Sequence, residues 1–282
     1  MKILVTGATG FIGTHVVSIL AKQGYNVIAT SRNLNKAESY EWFSQIEYIP
    51  CDLSSIKKNY FQFFREPEIL IHLAWEGLDN YKDLLHFERN LPVHYSFIKN
   101  MVCNGLRHVV VAGTCLEYGM QYGCLTEDLN TKPKVPYGLA KDTLRKNLEQ
   151  LFNIYSVIFQ WTRLFYLYGE GQSEKSLLSQ LNSAVRKGDE FFNMSGGEQL
   201  RDYLPVEKAA QYIRDIALQN KVQGIINCCS GTPVSILRFV KKYLDEKGYS
   251  IKLNLGFYPY PDYEPMAFWG DNKKLQRVLS QL

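Results

Sequence analysis

Apolar positions in the first half of the chain follow two alternating rhythms. Lys2-Ile3-Leu4-Val5-Thr6 is a short run rich in β-branched residues and reads as a strand, whereas Val16, Val17, Ile19 and Leu20 recur at helical spacing. Further strands are expected over residues 26–30, 46–50, 68–74, 107–112 and 157–164. In residues 68–74, Ile69, Leu70, Ile71 and Leu73 leave almost no polar face, as in a strand covered on both sides. A long helix is expected over 81–104, with Asn90 in its middle. A second begins at Pro136, a first-turn position where proline costs nothing, and runs to residue 155. Strands and helices alternating at this spacing predict an α/β fold, a doubly wound, largely parallel sheet.

Beyond Leu164 the rhythm changes, and Gly169, Gly171, Gly188, Gly196 and Gly197 break up shorter elements. Residues 1–163 together with about 202–229 are therefore expected to form the first domain. Residues from about 164 to 201, with 230–282, are expected to form a smaller second lobe. That division places a buried strand at 224–230, a helix at 235–247 and an aromatic, proline-rich loop at 257–268.

Gly7, Gly10 and Gly13 stand between the first strand and the first helix. Gly7 suits a tight reversal, Gly10 removes a side chain where a diphosphate must approach the backbone, and Gly13 lets the helix lie close on the strand. The free amides at the start of that helix would attract the diphosphate. This predicts a dinucleotide site. An acidic residue just past the second strand would accept from a ribose 2′-hydroxyl and repel a 2′-phosphate. Here the chain reads Thr30-Ser31-Arg32-Asn33, with no acid before Glu38, so Ser31 and Arg32 predict NADP(H) in preference to NAD(H). Asp52, past the third strand, is placed to meet the adenine edge.

Composition narrows the rest. With 46% hydrophobic and 21% charged residues, the 282-residue chain is that of an ordinary globular protein. No apolar run approaches the roughly 18 residues of a membrane span, and the opening residues form a strand instead of a signal peptide, so a cytoplasmic location with no membrane partner is expected. The net charge of +4 is mild and its Lys and Arg are scattered, which argues against nucleic acid. The six cysteines lack metal-ligand spacing, so no metal is expected.

Candidate chemistry centres on Tyr137 and Lys141, one helical turn apart on the same face. An ammonium beside a phenol favours phenolate and brings a group that titrates near pH 10 toward neutrality, where it can give or take a proton at a substrate oxygen. Thr114, just past the fifth strand, is placed to hold that oxygen. His72 reads as a buried structural histidine.

Thr6-Gly7-Ala8-Thr9-Gly10-Phe11-Ile12-Gly13, His72-Leu73-Ala74, Thr114 with Tyr118-Gly119, Tyr137-Gly138-Leu139-Ala140-Lys141, and Arg163-Leu164-Phe165 before Tyr168-Gly169 resemble the extended short-chain dehydrogenase/reductase family. The resemblance covers nearly the whole chain. It implies a Rossmann-type fold and epimerase, dehydratase or reductase activity on a nucleotide sugar, with a homodimer common in the family. Carried over by motif, Gly7, Thr9, Gly10, Phe11, Ile12, Gly13, Leu53, Leu73 and Ala74 would join Ser31, Arg32, Asp52, Tyr137 and Lys141 around the coenzyme. Trp75, Thr114, Tyr166 and Arg201 would meet the substrate, Arg201 gripping its diphosphate; family members usually have Asn where Tyr166 stands.

Family dehydratases carry an Asp-Glu pair after the catalytic Thr. Here Cys115 and Leu116 stand there, which argues against dehydration. The segment Gly113-Thr114-Cys115-Leu116-Glu117-Tyr118-Gly119 is most similar to 4-ketoreductases of dTDP- or CDP-linked 6-deoxyhexoses. With the Ser31-Arg32 signal for NADPH, the resemblance implies NADPH-dependent reduction of a sugar C4 ketone, with a 4-epimerase as the alternative and a non-catalytic NADP-binding regulator the reading from another class.

Overall fold

The computed structural model describes residues 1–281. Seven parallel strands form its central sheet: β1 (Lys2–Thr6), β2 (Asn26–Thr30), β3 (Glu47–Tyr48), β4 (Ile69–His72), β5 (His108–Thr114), β6 (Ile158–Leu164) and β7 (Gly224–Cys228). They lie in the order β7-β6-β5-β4-β1-β2-β3. The order reverses beside β1, and ligands of open parallel sheets bind in the crevice beyond the strand ends at such a point.

The strands of this parallel sheet are apolar on both faces, as the helices that cover both sides require. In β4 every residue is buried, and β1, β2 and β5 are buried except at their first residue. On one face Val16, Val17 and Leu20 of α1 (Phe11–Lys22) pack with Ile3, Val5 and Ile71. On the other, Phe97, Ile98 and Met101 of α2 (Leu91–Cys103) and Leu144, Leu148 and Leu151 of α3 (Pro136–Tyr155) cover Leu4, Leu70 and Val109. Each face thus removes aliphatic side chains from water at about 25 cal/mol per Å².

Past β6 the elements are shorter. Tyr166–Tyr168, Leu200–Pro205 and Pro233–Ser235 form a three-stranded sheet, and Phe191–Asn193 pairs with Lys252–Asn254. A separate core joins Leu178 and Leu181 of α4 (Leu177–Lys187), Phe192, and Val240 and Leu244 in the helix Ile236–Lys247. Between these, Val206–Ala217 returns to pack against α1 through Ala210 and Ile213.

Several expected bounds shift. Residues 81–84 form no helix, because the Asn80 amide oxygen and an Asp83 carboxylate oxygen accept from the backbone N–H groups of Lys82 and Leu85, respectively, and hold local turns. A π-helical turn, His86–Asn90, then leads into α2, and the Asn90 side-chain amide donates to the Glu76 carbonyl at 3.0 Å. The edge strand β3 keeps only two ladder residues of the expected five, although the Ile49 and Cys51 amides still donate to Ala29 and Ser31. The expected loop 113–135 contains a helical turn at Cys115–Glu117 and a strand, Gly123–Leu125, that pairs with Phe268–Gly270.

Candidate active site

Beyond the ends of β1, β2 and β4 lies a cavity of about 350 Å³. The first turn contributes Gly7, Thr9, Gly10, Phe11, Ile12 and Gly13 to its walls, and Ser31 and Arg32 enter after β2. Asp52 and Leu53 come from the segment after β3; Leu73, Ala74 and Trp75 follow β4. All but Trp75 were expected at the coenzyme; Trp75 was expected to meet the substrate. Gly7 has φ +69°, and a Cβ there would stand 2.8 Å from the Ala74 amide nitrogen. A Cβ on Gly13 would strike the Gly7 carbonyl, so the helix can approach the strand only as glycine.

At Gly10 a Cβ would meet only the Gly7 carbonyl, at 3.1 Å, and its other surroundings are open. Gly10 is also the cap residue of α1 and supplies no side-chain acceptor to the first-turn amides. Those amides, left without an internal partner at the positive end of a 12-residue helix, fit a diphosphate. The residues present therefore fit a dinucleotide. Asp52 is held in place by the Ser54 amide and hydroxyl at 2.9 and 2.8 Å, and these hydrogen bonds keep its carboxyl below the ordinary range.

The charged residues after β2 are less free than the sequence implied. Arg32 was expected to be open to a 2′-phosphate; instead its guanidinium pairs with Glu76 at 2.5 Å. The Ser31 hydroxyl lies 2.9 Å from Thr9 Oγ1 and 2.7 Å from the Tyr48 hydroxyl. Glu76 also faces Arg89 at 3.7 Å. Sequence reasoning passed over Glu76 and Arg89; an acid on the turn after β4, just past Leu73-Ala74-Trp75, was the available signal.

Thr114, Tyr137 and Lys141 converge on the end of β5, next to this cavity but not on its wall. Pro136 opens α3, so Tyr137 and Lys141 share its first turns and both are buried. Thr114 is near enough to hydrogen-bond the phenol, and the Lys141 ammonium donates to the Ala112 carbonyl at 2.9 Å. Trp75 roofs this cluster, its ring 3.9 Å from Lys141 Nζ, and Tyr81 stacks on Tyr137 at 5.2 Å. The Trp75 indole in turn donates to His86 Nδ1 at 3.1 Å.

Burial under these rings pushes the Tyr137 phenol well above its usual range, the Thr114 hydrogen bond being a smaller opposing effect. The expected lowering of Tyr137 toward neutrality by Lys141 is overturned: the phenol moves up, and Lys141 is not among the groups that act on it. Burial also pulls Lys141 down, to about 7, against the opposing pull of Glu117. Between about 7 and its ordinary 10.5 the unfolded chain then holds a proton that the folded chain lacks, so stability rises with pH across that window. Chemical denaturation from pH 7 to 9.5 should show wild type gaining stability relative to Lys141→Met; parallel curves would refute this placement of the charge.

Glu117 is the buried anion of the site, and the sequence offered no sign of its role. Its carboxylate accepts from the Thr114 amide at 2.8 Å, Trp161 Nε1 at 2.9 Å and Arg163 Nε at 2.7 Å. Together with the Thr114 side chain it makes a capping box over the turn that follows β5.

Arg201 and Tyr166 stand apart from the cavity. Arg201 was expected to meet a diphosphate, yet its side chain is 1% exposed, ion-paired with Glu264 at 2.9 Å and 4.7 Å from the centre of the Phe268 ring. An anion reaches it only if Glu264 gives way. Tyr166 packs with Tyr203 and Phe268. The neighbouring Asp202 is also buried, and its carboxylate accepts from the Ser230 and Gly231 amides at 2.7 and 2.9 Å. His72 bonds Thr6 Oγ1 and His94 Nδ1, both at 2.9 Å, and burial lowers it to about 3. Among the described residues no group of three or more His, Cys, Asp or Glu side chains is placed to hold a metal, and no helix is long and apolar enough to cross a membrane.

Fold and site together define a Rossmann-type α/β protein whose dinucleotide crevice adjoins a Thr-Tyr-Lys cluster. The model of the NAD dependent epimerase/dehydratase family matches residues 3–229, and the chain belongs to that family, whose members are NAD-dependent nucleotide-sugar dehydrogenases and epimerases. It is 32% identical to dTDP-6-deoxy-L-talose 4-dehydrogenase (NAD(+)) of Aggregatibacter actinomycetemcomitans, over 96% of this chain and 99% of that protein. It is 22% identical to CDP-abequose synthase of Salmonella typhimurium, over 98% of this chain and 91% of that one. Among solved structures it is similar to MoeE5 in complex with UDP-glucose and NAD, with a TM-score of 0.83 and 25% identity, covering 99% of this chain and 92% of that chain.

Proposed function

We propose that the protein reduces the C4 ketone of a nucleotide-linked 4-keto-6-deoxyhexose, a dTDP sugar in the first place and a CDP sugar in the second. The observation that carries this reading is the convergence of Thr114, Tyr137 and Lys141 beside the dinucleotide crevice. Held by the crevice residues, a reduced nicotinamide coenzyme would supply the hydride chemistry. Tyr137 gives its phenolic proton to the C4 oxygen, Thr114 positions that oxygen, and Lys141 can return a proton to Tyr137 near neutral pH. Burial that keeps Tyr137 protonated suits a proton donor, hence reduction. Buried Cys115, whose thiol burial pushes far up, and apolar Leu116 offer no acid–base pair for dehydration.

Both NAD(H) and NADP(H) fit this reading. Arg32 and Lys36 on the cavity wall favour NADP(H), whereas Glu76 and the NAD(+) in the name of the 32% identical relative favour NAD(H). The second lobe, about 164–201 and 230–282, would hold the nucleotide sugar, and pairing of α2 and α3 between two copies would give a homodimer.

The test follows loss of reduced-coenzyme absorbance with dTDP-4-keto-6-deoxyglucose and, separately, its CDP counterpart, using NADH and NADPH in turn. Oxidation with one sugar supports the proposal and identifies the nucleotide. No oxidation with either removes it and favours the second reading, a 4-epimerase, for which coenzyme retained through purification would be the sign.

A further inference from the structure

The adenosine end of the crevice contains an acid that does not come from the segment where an acid was sought. No carboxylate follows β2 before Glu38, but Glu76, two residues past Ala74 on the turn after β4, lines the same cavity as Ser31 and Arg32. Its two oxygens divide their work: Oε1 takes Arg32 at 2.5 Å and Oε2 faces Arg89 at 3.7 Å. The turn that carries it is anchored, because its own carbonyl accepts from the Asn90 side chain at 3.0 Å.

Building on the dinucleotide reading, we propose that Glu76 sets coenzyme choice: it occupies the two guanidiniums that would hold a 2′-phosphate and so tilts the site toward NAD(H). A ribose 2′-hydroxyl can donate to a carboxylate, whereas a phosphate at the same place brings a second anion against it. The other charged groups facing this point are Asp52 and Lys36, one of each sign, so they leave the balance to Glu76 and its two arginines. With Glu76 neutral, Arg32 and Arg89 become free to grip a phosphate, and an arginine fork does this bidentately.

The test titrates NAD⁺ and NADP⁺ into wild type, Glu76→Gln and the double variant Arg32→Gln/Glu76→Gln, reading tryptophan fluorescence and calorimetric heat. Wild type should bind NAD⁺ more tightly. Glu76→Gln should bind NADP⁺ about tenfold more tightly than wild type while NAD⁺ changes by less than about threefold, since the changed charge lies close to the 2′ position. The gain should shrink with added salt and vanish in the double variant. An unchanged ratio of NADP⁺ to NAD⁺ affinity in Glu76→Gln, or a wild type that already prefers NADP⁺, overturns the role of Glu76 while leaving the crevice a dinucleotide site. If neither coenzyme binds wild type, the dinucleotide reading fails and this inference with it.

Discussion

Tyr137→Phe should lower turnover by about 10³-fold and leave coenzyme affinity within about threefold of wild type. The change removes one oxygen from a ring that stays packed between Tyr81, Trp75 and His86, so the aromatic cluster and the fold are retained. The crevice wall is built from other residues, and its ability to hold a dinucleotide should be unaffected. Rate is measured from loss of reduced-coenzyme absorbance with the keto sugar, and affinity from fluorescence titration. Turnover within tenfold of wild type would mean that another group delivers the proton.

Glu117 should matter most for stability. Glu117→Leu leaves the Arg163 guanidinium, 1% exposed, without its partner and strips acceptors from Trp161 and the Thr114 amide. Removing one member of a buried pair costs about 3–5 kcal/mol, because the surviving charge stays buried and unpaired. Glu117→Gln keeps the shape and one acceptor oxygen, and should cost about 1–3 kcal/mol. Urea denaturation distinguishes the two. If both variants unfold at the wild-type midpoint, the carboxylate does not hold this end of β5. The same substitutions should also reduce turnover, since the loop that presents Thr114 loses its capping box.

The crevice was legible in the sequence because its construction is local. A run of β-branched residues, three glycines and an amphipathic helix are contiguous, and each glycine answers a constraint from within that unit or from the next strand end. The same holds for Tyr137 and Lys141, whose helical spacing alone places them on one face. Helix 81–104 was legible only in its second half: Asn80 and Asp83 side chains bond the backbone locally, and periodicity of apolar residues does not register that competition.

By itself the sequence determined the order of the main sheet strands and their helices, the parallel sheet and the glycine turn of the crevice, since these follow from apolar period and backbone permissiveness along short stretches. Only the tertiary structure decided which charges are free. Arg32 meets Glu76, Arg201 meets Glu264 and Glu117 meets Arg163, partners 44, 63 and 46 residues apart. It also decided how deeply Tyr137 and Lys141 are buried, under rings supplied by Trp75 and Tyr81. The physical reason is that ion pairing and desolvation depend on distance through space and on what excludes water. Two residues far apart in the chain acquire either property only when the fold brings them together.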